Sequence, residues 1–221
     1  MSSYSSRLVL NSVFSTRDFL PDGDLKKAIW RRASHVQFDH DWAGKRRYPQ
    51  AETSIASCWT REQVYFAFSC KYSSLNLFRS GNLDKDQWGL WERDVVEAFL
   101  NPEPQRVNHY YEFEVAPNNL WIDLEINLNQ KPFNDPNWNS GFLHRTHIGK
   151  SLWTCEMRIP VASLAGPGYE LRPHAEWRGN FFRADGAGDN TERRLLAWSP
   201  TLTLKPNFHV PTRFGIIRFV T

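Results

Sequence analysis

The 221-residue chain suits one large domain better than two small ones, and about two-thirds or more of the unfolded surface of a chain this size can be buried without help from disulfides or metals. Twenty-seven basic against twenty-four acidic residues leave a net charge of +3, which argues against a nucleic-acid partner, since such a partner needs a concentrated basic face. Fifteen Phe, ten Trp and seven Tyr exceed the aromatic filling that a single core requires, so some rings are expected to lie outside the core.

The first twenty residues are Ser-rich and then weakly alternating, which predicts a tail or an edge strand over 1–17. They lack a long apolar run, so neither a secretory signal nor a membrane span is expected. "DGDLKKAIWRRAS" (22–34) predicts a turn and one short helix, with Asp24 as its N-cap. The period then changes to two. "TSIASCWT" and "VYFAFSCKY" alternate strictly around a compact "TREQ" connection, which is a hairpin signal. Strands are predicted at "DVVEAFLN", at "YYEFEVAP" and at "LWIDLEINL", the last two joined by a "PNN" turn. Leu120, Ile122, Leu124, Ile126 and Leu128 form one apolar face. "FLHRTHI" and "LWTCEMRIP" follow around a "GK" turn, then a helical turn at "VASL". "EWRGNFFRAD", a flexible "GAGDNTERR", "LLAWSP" and "FGIIRFV" complete the chain. The reading is an all-β, antiparallel two-sheet β-sandwich, with 18–221 as one domain.

Cys58, Cys70 and Cys155 lack CxxC spacing and sit in alternating runs, so they read as buried free thiols; that leans toward a reducing, cytoplasmic compartment. The basic runs at Arg31-Arg32, Lys45-Arg46-Arg47 and Arg193-Arg194 read as solvated surface charge. His144 and His147 fall on opposite strand faces and cannot share a metal.

The order "DGDLKKAIWRRA", "REQVYFAFSC", "WERDVVEAFLNP", "YYEFEVAPNN", "WTCEMRIPVASL", "GNFFR", "WSPT", "FHVPTRFGIIRF" resembles carbohydrate-binding modules of family 9, in their family-9-like branch, over residues 18–220. The resemblance implies a jelly-roll-like sandwich that grips a sugar ring between two aromatic side chains. It places Trp91 and Phe208 at the clamp positions and Glu97 at the acid that hydrogen-bonds sugar hydroxyls. Glu114 stands where the sugar-binding members have an arginine, and Arg183 where they have an amide, so Arg183 is expected beside Glu114 as a compensating swap. Structural calcium is a further implication, with Asp84, Asp86, Asp123 and Asp135 as candidates and no ligands assigned. A mono- or oligosaccharide is the expected ligand and a glycoside hydrolase the expected partner, with no cofactor required.

The chemistry is consistent with that role. Aromatic rings cover the C–H face of a pyranose, and charged groups satisfy its hydroxyls. Glu97 shares a strand face with Val95 and Phe99, and an acid among apolar neighbours needs a partner or a ligand. Asp94, at the strand start, reads as a structural acid. The alternatives are a Glu97 ion pair to Arg183 or Arg158, and Trp91 and Phe208 as core. At the level of function they are a glycosidase using Glu97 with Glu114 or Asp94, and a haem or scaffold module on the same sandwich.

Overall fold

The structure is a computed structural model that describes residues 7–186 and 193–221. Residues 1–6 and most of the predicted "GAGDNTERR" loop lie outside the described residues. Strand β1 (Val9–Phe14) is followed by helix α1 (Ala28–Arg32), β2 (His35–Phe38) and the hairpin β3 (Thr53–Trp59) and β4 (Gln63–Lys71). Then come β5 (Val95–Asn101), β6 (His109–Val115), β7 (Trp121–Asn127) and the two-residue β8 (Asn134–Asp135). β9 (Leu143–Ile148), β10 (Leu152–Pro160), helix α2 (Val161–Ala165), β11 (Glu176–Asp185), β12 (Arg194–Ala197) and β13 (Gly215–Val220) close the chain.

The strands were expected to be antiparallel throughout and divided between two sheets. Instead the described strands form one hydrogen-bonded path, β8-β7-β6-β5-β11-β13-β1-β3-β4-β10-β9, with β12 and β2 attached to β11 and β3. The sheet is mixed, because β1 runs parallel to both β13 and β3. The same pairing moves the N-terminal strand off the predicted edge, since it has a neighbour on either side. Local alternation says nothing about partners some 45 and 200 residues away, so neither feature could be read from the strand itself.

The path turns back on itself. The ring of Phe66 on β4 lies 5.2 Å from that of Phe181 on β11, although three strands separate them along the ladder. The main core fills this space with Ile55, Val64, Phe68, Ala98, Phe113, Met157 and Phe219. Ile55 and Trp59 of β3 and Val64, Phe66, Phe68 and Cys70 of β4 point there. Their opposite faces are also covered: Ala56, Cys58, Tyr65 and Ala67 pack beneath Trp30 and Ala33. All three cysteines are buried free thiols, and Met157 is core.

Helix α1 is shorter than predicted, and Asp24 does not cap it. Position Lys27 precedes the helix without a side-chain cap, while Asp24 accepts the Lys26 N–H in a turn. What anchors the segment is tertiary. Glu156 on β10 accepts Trp30 Nε1 at 2.6 Å, Lys27 Nζ at 2.7 Å, and the backbone N–H groups of Asp22 and Gly23 at 2.8 Å.

Candidate functional site

Strands β5, β6, β7 and β11 have a second face, turned away from the main core. It carries a smaller apolar cluster that includes Val95, Phe99, Tyr110, Ile122, Leu124, Phe182 and Phe214. A cleft of about 520 Å³ opens on this face. Its apolar walls are Trp88, Trp91, Phe99, Phe133 and Phe208, and its polar floor is Glu97, Glu112 and Glu114.

Each group is placed by a simple local rule. Glu97 on β5 lies directly opposite Glu114 on β6, and Phe99 opposite Glu112, so alternation puts all three acids on one face. Their carboxylate oxygens lie within 4.8 Å of one another and all three residues are buried. Among the described residues, no donor reaches either oxygen of Glu114 or Oε2 of Glu112. Glu112 and Glu114 meet carboxylate to carboxylate, a contact that becomes a hydrogen bond only when one of them holds a proton. Burial, and then the charge of Glu112, push the Glu97 carboxyl well above its ordinary range. Burial, then Glu97, then Glu112 do the same to Glu114, and Arg193 acts weakly against both shifts. Arg193, read as bland surface charge, lines this cleft, although it is exposed.

The aromatic walls differ in how they are held. Trp91 sits in a single 3₁₀ turn before β5, half-buried, with its ring edge-on to Trp88 at 5.1 Å. Trp88 is 53% exposed. Phe208 stacks on Phe182 with centroids 4.1 Å apart and planes at 11°, so one of its faces already belongs to the protein. His209 lines the cleft as the neighbour of Phe208, with Nδ1 2.7 Å from the Tyr110 hydroxyl. Asp94 is the structural acid its position suggested: its oxygens accept the backbone N–H groups of Asn76 at 2.9 Å and Gly186 at 2.6 Å. Burial nonetheless raises its carboxyl to about 6.

Four of the five expected site residues, Trp91, Glu97, Glu114 and Phe208, therefore meet in one cleft. Arg183 does not. Phe182 is paired with Glu97 and Arg183 with Val96, so Arg183 points to the opposite face of β11, toward the main core. There it is fully buried, bonds Asp185 at 2.6 Å and lies 5.4 Å over the Trp153 ring. It cannot offset Glu114. Nor is Glu97 held in the alternative ion pairs, because Arg158 turns to Asp18. Of the four candidate calcium acids, two converge. Asp86 accepts the Asp123 N–H at 3.1 Å, and Asp123 is buried with Oδ1 lacking any donor. Asp84 and Asp135 are exposed; Asp84 lies in a turn and Asp135 accepts the Asn137 N–H.

Residues 21–221 match the profile of the carbohydrate family 9 binding domain-like family. The chain belongs to that family. An Arthroderma benhamiae protein named as an extracellular protein is 26% identical over 199 residues, covering 84% of this chain and 85% of its own length. In fold the chain is similar to a carbohydrate-binding candidate from Bacteroides uniformis, at TM-score 0.76 and 21% identity, covering 97% of this chain and all of that one. It is also similar to a family 9 carbohydrate-binding module of Caldicellulosiruptor kristjanssonii in complex with cellotriose, at TM-score 0.67 and 15% identity, covering 96% of this chain and 94% of the module.

Within this family-9 domain, sequence reasoning missed Glu112, Trp88, Phe133 and Arg193. A signal existed for the first two. "YYEFEV" repeats an acid at i and i+2 in a strand that is otherwise apolar, and "WGLW" presents two indoles just before the strand that carries Glu97. Phe133 and Arg193 come from loops and needed the fold.

The buried acids make a stability prediction. A carboxyl whose folded value is raised destabilises the fold at pH values above its unfolded value, because the unfolded chain ionises it first. Replacing Glu114 with Gln removes that penalty and should stabilise the protein at pH 7 by about 2 kcal/mol, or roughly 4–8 °C in Tm. The gain should close as pH falls toward the ordinary glutamate value of 4.5. Melting curves of both proteins from pH 4 to 8 test this; parallel curves would refute it.

Proposed function

We propose that the cleft binds a sugar ring without cleaving it. The observation that carries this reading is the joining of aromatic walls, including the half-buried Trp91, to three buried acids, of which Glu114 has no donor on either oxygen among the described residues. The walls cover the apolar face of a pyranose, and the acids accept its hydroxyls. The described strands are read as a jelly-roll-like sandwich, with the path folded over the main core and the cleft on its outer face. Family 9 modules of Caldicellulosiruptor kristjanssonii carry cellotriose and glucose in complexes of similar fold, which supports a mono- or oligosaccharide here.

Glu97 and Glu114 stand side by side on adjacent strands, and Asp94 is occupied by two backbone N–H groups. A glycosidase pair instead flanks the scissile bond from opposite sides. Binding is therefore favoured over hydrolysis. Calorimetric titration with mono- and oligosaccharides, paired with an assay for released product, tests the proposal. Saturable binding without turnover is expected; absence of binding by the folded protein, or product release, would overturn it.

Asp86 and Asp123 would supply two of the six to eight oxygens of a structural calcium ion, which would neutralise Asp123 Oδ1, an atom without a donor among the described residues. Burial raises the Asp123 carboxyl to about 6, a penalty that a bound cation would reverse. Calcium should raise Tm by several degrees and a chelator should lower it, with the effect lost in Asp123→Asn. A Tm indifferent to both additions would exclude the site.

A further inference from the structure

We infer that the cleft selects a sugar bearing a protonated amine over the corresponding neutral sugar. This rests on the sugar-binding reading and names the class of sugar.

Three acids share the floor, and among the described residues three of their buried oxygens lack a donor: Oε1 and Oε2 of Glu114 and Oε2 of Glu112. A sugar hydroxyl offers one O–H, whereas an ammonium offers three N–H groups and a full positive charge. One ammonium at the floor would face three carboxylates whose oxygens lie within 4.8 Å of one another, bond those it reaches and relieve their mutual repulsion.

The surroundings favour an organic cation over a bare metal ion. Around the acids the cleft is walled by the rings of Trp91, Phe99 and Phe208, with the amides of Asn134 and Asn207 also lining it, a mixed apolar and polar lining that suits an organic cation. Its volume of about 520 Å³ holds a sugar rather than one ion. Two other groups are relevant to the charge balance. Arg193 lines the cleft but is exposed and bonds none of the orphaned oxygens. His209 lines it with Nδ1 committed to Tyr110. Within the protein, the alternative is a proton shared by Glu112 and Glu114, which an incoming ammonium would displace.

The test is calorimetric titration at pH 6.5 with glucosamine, glucose and N-acetylglucosamine, and separately with calcium chloride, on wild type, Glu114→Gln and Glu112→Gln. Glucosamine should bind about tenfold more tightly than glucose, with N-acetylglucosamine no better than glucose, as expected for charge-assisted bonds. Either substitution should reduce that preference to about threefold or less while leaving some glucose binding, so one variant suffices if the other misfolds. Equal binding of glucose and glucosamine would overturn the inference and leave the sugar reading standing. No binding of any sugar would remove both. Saturable binding of calcium alone, lost in Glu114→Gln, would make the floor a metal site and also overturn the inference.

Discussion

Asp185→Ala should cost the fold about 3–5 kcal/mol, which for a chain of this size lowers Tm by roughly 10 °C or more, whereas Arg183→Met should change stability by no more than about 1 kcal/mol. Asp185 is 1% exposed and receives Arg183 Nη2 and Arg194 Nε, each at 2.6 Å. Removing the carboxylate leaves a fully buried guanidinium, two of whose nitrogens, Nε and Nη1, already lack hydrogen-bond partners among the described residues. Removing Arg183 instead leaves Asp185 held by Arg194, and methionine fills most of the vacated space among Trp153 and its neighbours. The asymmetry follows from desolvation: a buried charge without its partner is far more damaging than an apolar side chain in its place. Denaturant unfolding of the two variants checks it. Equal losses would show that the pair acts through packing alone. Sugar affinity provides a second readout, since Arg183 faces the core: Arg183→Met should bind as wild type does.

Trp91→Ala should weaken sugar binding by about 30-fold, near 2 kcal/mol, while Tm falls by no more than about 3 °C. The half-buried indole has a free surface toward the cleft, and its edge contact with Trp88 contributes little to the core. Phe208→Ala should behave differently. Its ring stacks on buried Phe182 at 4.1 Å, so that change should weaken binding and lower stability together. Titration and melting of the two variants separate the roles. A Trp91→Ala protein that binds normally would remove the tryptophan from the site and shift the apolar wall to Trp88 and Phe133.

Some of this was legible in the sequence because it is local. Strict alternation over "TSIASCWT", "VYFAFSCKY" and "LWIDLEINL" assigned strands and divided their residues between two faces, since a side-chain period of two depends only on neighbouring residues. The same rule set Glu97 with Val95 and Phe99 and marked an acid in apolar company. The same rule applied to "YYEFEV" puts Glu112 beside Glu114, a signal that went unused, and only the fold shows that these acids meet Glu97. Order of motifs along the chain brought the family into view, and with it Trp91 and Phe208.

The remainder required the tertiary structure. β11 carries Phe181 and Phe182 in succession, both buried, so alternation defines two faces without saying which turns to the cleft. Arg183 was therefore assigned to the wrong side, and only its pairing opposite Val96 corrects it. β1 runs parallel to partners from distant parts of the chain, a choice with no local signature. Arg193, Phe133 and Phe208 reach the acids from loops 36 to 111 positions away from Glu97. Sequence determined what each strand could bury; the pairing register determined which buried groups share one cavity, because register is settled by contacts between residues far apart in the chain.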